Sequence, residues 1–195
     1  MSYATIADVA TYGGIQDLQD DARITLALAA AEEAVNQFCN RDFNVPTSAT
    51  TRVFKPHDRK RRQLIIDDLA STSGLVIVDT VAGYTFAASD YVLEPANAAT
   101  AGDPYTSIRA LNRLWPVGRN NEDVVSITGR WGWPVIPDSV KLATVVLALE
   151  LFTARNAPFG VAGFGEFGPV RIRNNPYVSR LLGQYRRGDT SWGLA

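Results

Sequence analysis

The sequence is poor in the side chains that do chemistry. Its 195 residues include one cysteine, one histidine and one methionine. The single cysteine, Cys39, excludes an internal disulfide framework. It ends an apolar helical face and reads as a buried, inert thiol. One His and one Cys at unrelated places make no set of soft ligands, so no metal site is expected. His57 would have to be the base of any Ser-His-Asp or Cys-His site. It sits instead in the polar stretch Lys55-Pro-His-Asp-Arg-Lys-Arg-Arg, and no Gly-x-Ser-x-Gly segment supplies a nucleophile. Asp67 and Asp68 are adjacent, and on a strand they point to opposite sides, so they cannot share one acid/base face. Turn-capping or salt-bridging suits them better. The expectation is a chain with no catalytic residue and no cofactor, and not an enzyme.

Long apolar runs are also missing. None reaches the ~18 residues of a membrane span, so no membrane partner is expected. The start, Met1-Ser-Tyr-Ala-Thr-Ile-Ala-Asp, lacks the basic region and apolar core of a signal peptide, which points to synthesis and folding in a cytoplasm. An overall basic balance is absent too: the net charge is −1. That argues against a dedicated nucleic-acid binder.

The charge that is present is segregated. Residues 1–50 carry seven acids and two bases, net −5. Residues 51–62 carry six bases against Asp58, net +5. Residues 63–140 are net −5 and residues 141–195 net +4. Such a chain suits head-to-tail contact with copies of itself or with other subunits. The run Arg59-Lys60-Arg61-Arg62 is a candidate subunit-facing or DNA-facing basic patch. No aromatic residue interleaves with it, and a solvated turn of a strand pair explains it equally well.

Periodicity divides the chain. Thr5 caps a short helix with Asp8 at its third position, and Gly13-Gly14 stops it. A longer helix is predicted through Asp20–Asn40, with Ile24, Leu28, Ala31, Val35 and Phe38 on one seam. Strands are predicted at Thr50–Phe54, Gln63–Asp67, Leu75–Asp79, Tyr84–Phe86, Tyr91–Leu93, Ser107–Leu111 and Val124–Trp131. A hairpin is expected near Val81–Gly83, and Pro95–Pro104 reads as loop. Short sequential strands imply an antiparallel sheet or a small open barrel.

A second long helix is predicted through Asp138–Arg155, apolar nearly all round and therefore buried on several sides, against its own domain and a neighbouring subunit. Asn175 and Pro176 start a short last helix. Together these elements give an α+β chain. The expected fold is a small helical bundle (short N-terminal helix, two long helices, short C-terminal helix) with an antiparallel β insertion between the long helices and an extended C-terminal arm. The corresponding segments are 1–49, 50–136, 137–156 and 157–195.

The arm, Asn156-Ala-Pro-Phe-Gly-Val-Ala-Gly-Phe-Gly-Glu-Phe-Gly-Pro-Val-Arg, has no helix or strand period. Gly163-Phe-Gly165-Glu-Phe-Gly168 matches the dinucleotide-binding Gly-x-Gly-x-x-Gly in letters, but a predicted helix precedes it, Pro169 follows, and no βαβ unit is visible. Phe159, Phe164 and Phe167 instead read as anchors that fill pockets on a partner, or that fold back on the same subunit.

Several segments together resemble the head-to-tail adaptor (connector) proteins of long-tailed bacteriophages. They are Tyr3-Ala-Thr-Ile-Ala-Asp-Val, Gln37-Phe-Cys-Asn-Arg-Asp-Phe, Tyr91-Val-Leu-Glu-Pro, Val125-Ser-Ile-Thr-Gly-Arg-Trp-Gly-Trp-Pro and the arm through Ile172. The likeness runs from about Tyr3 to Arg187. It implies a structural virion protein in the neck between capsid and tail, made in the host bacterial cytoplasm. It implies a ring of roughly twelve copies under the portal that extends the DNA channel and gives the tail its platform. Its partners would be itself, the portal protein, the next neck or tail-terminator protein, and double-stranded DNA passing without sequence-specific binding. The portal-docking residues implied are Pro158, Phe159, Phe164, Phe167, Pro169, Arg171, Ile172 and Arg173, with Tyr185 nearby. The alternative is another neck or tail-completion ring protein of the same particle.

Overall fold

A computed structural model of the chain describes residues 2–15, 21–57, 60–118, 122–154 and 175–188. It is α+β and divides into two compact units. One joins Met1–Asp42 to Ile136–Ala195; the other is Phe43–Val135.

The helical unit is organised by its most apolar segment. Helix α4 (Asp138–Ala154) packs against α1 (Ile6–Gly13), α2 (Asp21–Cys39) and α5 (Pro176–Leu182). Val140, Ala143, Thr144, Leu147 and Ala148 are fully buried. Thr144 is the one polar residue among them, and its hydroxyl donates to the Val140 carbonyl at 2.9 Å. A helix this apolar must be covered on several sides, and three helices cover it. Helix α2 buries Ile24, Leu28, Ala31 and Val35 as its spacing predicts; Cys39 rather than Phe38 completes the seam. Its flank holds the N-terminal segment: Glu32 accepts from the Tyr3 N–H (2.7 Å), and Asn36 accepts from the Tyr3 hydroxyl (2.7 Å).

Local caps follow the sequence closely. Thr5 and Asp8 form a reciprocal capping box on α1, and Gly14 ends the helix in the left-handed region. Asn175 caps α5, accepting from the Tyr177 and Val178 N–H groups, with Pro176 at the first helical position.

In the other unit, six strands of the described residues form one antiparallel sheet. They are β1 (Thr50–Phe54), β2 (Gln63–Asp79), β3 (Tyr84–Thr85), β4 (Tyr91–Glu94), β5 (Tyr105–Ala110) and β6 (Val125–Trp131). The order is β1-β6-β2-β5-β4, and β3 pairs with β2. The sheet is larger than short sequential strands suggest, because Gln63–Asp67 and Leu75–Asp79 are not separate strands. They are the two ends of one 17-residue strand. Its first half pairs with β5 and its second half with β6, and Leu69 is opposite both Tyr105 and Trp131. Register shifts between Ile65 and Val76 absorb the Ser71-Thr-Ser-Gly74 run, where Gly74 has φ +74°. The polar, Gly-containing run marks bulges, not a turn. The predicted hairpin is present: Asp79 accepts from the Val81 and Ala82 N–H groups and Gly83 takes φ +64°. The loop Pro95–Pro104 holds one short helix, α3 (Ala98–Ala101).

The core of this unit is Leu64, Ile66, Leu69, Ile77, Ile108 and Ile127 with Phe86, Trp115 and Trp131. Past β6 the chain turns tightly. Gly132 has φ +135°, donates to the Asp68 carbonyl at 2.8 Å, and would place a Cβ 2.1 Å from the Asn44 carbonyl oxygen.

Gly132→Ala should therefore cost about 3 kcal/mol or more, from a strained φ and a backbone clash together. Thermal unfolding would show it as a lowered midpoint; an unchanged midpoint would contradict the turn geometry. Thr5→Ala should cost about 1 kcal/mol through the lost cap. The Asp8 carboxyl is lowered from 3.8 to about 2, first by the Thr5 backbone N–H, then by the Thr5 hydroxyl and Lys141. Its contribution is present above pH 3.8 and is lost as pH falls through about 2. Asp8→Asn should thus be less stable than the native chain at neutral pH, and the gap should close towards pH 2 in denaturant titrations.

Candidate docking site

Chemistry-bearing residues of the described chain are tied into structure. Asp67 pairs with Arg52 at 2.6 Å, and the Arg52 guanidinium lies 5.1 Å from the Trp131 ring centre. Buried Asp68 accepts from the Trp133 indole N–H at 3.1 Å. The two carboxylates thus go to separate partners, as adjacent strand positions require. Cys39 is buried, and burial pushes its thiol up to about 11. His57 is exposed, and its carbonyl accepts from the Lys60 N–H. No group of three or more potential metal ligands exists among the described residues. None of the described helices is long and apolar enough to cross a membrane.

Two arginines of the basic run are held by hydrogen bonds to backbone carbonyls. Lys60 is exposed. Arg61 Nε donates to the Trp115 carbonyl at 3.0 Å, and the Trp115 N–H returns a bond of 2.9 Å to the Arg61 carbonyl. Arg62 Nη1 donates to the Leu111 carbonyl at 3.0 Å. Arg61 and Arg62 therefore hold the loop of residues 111–118 to the start of β2. Arg59 lies outside the described residues.

This loop is a surface that the sequence did not single out. Trp115 is its anchor, fully buried and 4.8 Å from the Phe86 ring. The Leu111 N–H donates to the Asp90 carbonyl, and the Asn112 side chain donates to the Ser89 carbonyl. Arg113 stacks 4.4 Å from the Tyr84 ring centre. The Tyr84 hydroxyl donates to Asp90 at 2.8 Å, which holds the Asp90 carboxyl below its usual range and pushes the tyrosine up. With its backbone fixed, the loop leaves Leu111, Leu114 and Val117 exposed beside Arg113, Lys60 and Arg62. Leu111 read as the end of a strand, and Leu114, Trp115 and Val117 beyond it carried no strand or helix period.

A second exposed apolar surface lies on α2. Its inner seam and its Tyr3-binding flank are occupied, yet Leu26 is 73% exposed. Ala22, Arg23, Ala29, Ala30 and Glu33 are exposed at helical spacing around it.

Of the residues expected to dock a partner, Tyr185 is described. It lies half-buried in the 3-10 turn Gly183–Tyr185 that follows α5. Next to it Arg186 stacks 5.2 Å from the Phe38 ring centre and the Arg187 N–H donates to the Cys39 carbonyl at 2.8 Å. Pro158, Phe159, Phe164, Phe167, Pro169, Arg171, Ile172 and Arg173 lie outside the described residues.

Arg61→Ala and Arg62→Ala should each destabilise the chain by about 1–2 kcal/mol through charge-assisted bonds to carbonyls left unpaired. Unchanged stability of both variants in denaturant titrations would contradict the clamp.

No protein-family model matches the sequence, and no curated protein matches it. Solved structures do match. One is the neck of an empty gene transfer agent (GTA) particle computed with C6 symmetry: TM-score 0.58, 19% identity, covering 96% of this chain and 91% of that one. A second is the neck of the native particle computed with C12 symmetry: TM-score 0.53, 19% identity, 89% and 86% covered. A third is the virion of the native GTA particle: TM-score 0.54, 20% identity, 95% and 91% covered. The chain thus shares its fold, over nearly its whole length, with chains of phage-like neck structures, in keeping with the adaptor resemblance.

Proposed function

We propose that this chain is a structural subunit of the neck of a phage-like particle, a head-to-tail adaptor. Copies form a ring beneath the portal, extend the DNA channel and present the platform for the tail. The observation that carries this reading is the fold shared with a neck chain across 96% of the sequence. The C6 and C12 symmetries of the neck structures support a ring of copies. In this reading the helices around α4 are the small bundle of the adaptor, and the sheet unit is its insertion.

The chemistry suits a subunit that docks. A closed ring needs two different surfaces that meet heterologously. Blocks of opposite charge along one chain supply complementarity. A channel for sliding DNA should avoid tight phosphate binding, and a chain of net charge −1 is compatible with that. Pro158 to Ile172 is the proposed portal-reaching segment, with Phe159, Phe164 and Phe167 as anchors. Arg171 and Arg173 pair with portal acids. Synthesis in the host cytoplasm precedes assembly into the virion neck. The second reading is a neck or tail-completion ring protein that binds the tail side first.

Purified protein mixed with purified portal rings and imaged by electron microscopy tests the choice. A second ring on the portal's tail-facing end is expected. Replacing Phe159, Phe164 and Phe167 together by Ala should weaken binding by about 2 kcal/mol or more, roughly 30-fold. Reversing Arg171 and Arg173 should weaken it further. Truncation at residue 156 is the poorer variant, because it also removes the buried Val178 and Leu182 of α5. Protein found only on isolated tails would favour the second reading.

A further inference from the structure

We infer that the sheet unit, Phe43–Val135, folds and unfolds as a cooperative unit of its own, closed at its base by Trp133. This holds whether or not the chain occupies a neck.

A segment inserted into another fold can stand alone when it has its own core and when its two ends are held together. The core lies wholly inside the unit. Leu64, Ile66, Leu69, Ile77, Ile108 and Ile127 are buried with Phe86, Trp115 and Trp131, and Phe54, Leu75 and Tyr105 pack on them. About ninety residues is an ordinary size for one such core.

The ends are held by the segment that leaves β6. Trp131 Nε1 donates to the Thr50 carbonyl at 2.8 Å. The Gly132 N–H donates to the Asp68 carbonyl, and the Trp133 N–H donates to the Asn44 carbonyl at 3.0 Å. Trp133 then adds two side-chain contacts. Its indole N–H donates to the Asp68 carboxylate at 3.1 Å, and its ring lies 5.0 Å from that of Phe43. Phe43, Asp68 and Trp133 are all buried. The entering segment, the middle of β2 and the leaving segment thus meet at one point. Holding residue 44 against residue 133 closes the intervening chain inside the unit, so the entropy of closure is met there. The rival is one all-or-none transition, in which the sheet keeps its fold only while the helical unit keeps its own.

Amide hydrogen exchange of the full chain, read by mass spectrometry in rising denaturant, separates the two. Leu147→Ala opens a cavity in the buried face of α4 and should lower the protection of α4 amides roughly 30-fold or more. The amides of β2, β5 and β6 should stay within about twofold of the native chain. Trp133→Phe keeps a ring beside Phe43 and removes the N–H that reaches Asp68. It should lower protection in β2, β5 and β6 roughly tenfold or more. If Leu147→Ala lowers the sheet amides by the same factor as those of α4, the inference is overturned. Sheet amides indifferent to Trp133→Phe would overturn it too. Should Leu147→Ala unfold the helices outright, the reading is the same: protection retained in β2, β5 and β6 supports the autonomous unit, and protection lost there refutes it.

Discussion

The helical unit depends on the burial of α4. Val140, Ala143, Thr144, Leu147 and Ala148 are fully buried, and few polar side chains interrupt the remaining surface. Such a helix is stable in water only when other elements cover it. The cover comes from both ends of the chain: α1 and α2 before the sheet unit, α5 after it. This ties residues far apart in sequence into one unit and leaves Phe43–Val135 as a second unit between them. Asn175 helps fix the returning segment by donating to Glu150 on α4 while it caps α5.

In the sheet unit the comparable constraint is the continuity of β2. One strand serves two partners along its length, β5 then β6, and the bulges around Ser71 and Gly74 let it do so. Its two ends place the clamp of Arg61 and Arg62 at one point and the hairpin of Asp79 at another. The exposed loop of residues 111–118 is therefore positioned by the strand that also organises the core.

Features governed by neighbours in sequence were legible. The Thr5–Asp8 box, the Asn175-Pro176 start, the α2 seam and the hairpin at Val81–Gly83 all depend on spacings of a few residues. Features governed by distant partners were not. A Ser-Thr-Ser-Gly run looks the same in a turn and in a bulge until its cross-strand partners are known. The basic run gave no sign that two of its arginines bind carbonyls 49 and 54 residues away. Nothing marked Trp115 as the anchor of a loop, or Leu26 as lying off the buried seam, until the packing defined which faces were occupied. The aromatic arm belongs to a different class: its composition and its resemblance to adaptor proteins carry its proposed role.

The central claim is that the chain occupies the neck as a ring. The most direct test is cryo-electron microscopy of the neck in particles assembled with and without this chain. Ring density between portal and tail, fitted by the helical and sheet units and absent from particles lacking the chain, is the expected result. A neck unchanged by its removal, or the chain located in the capsid shell or tail tube, would contradict the claim.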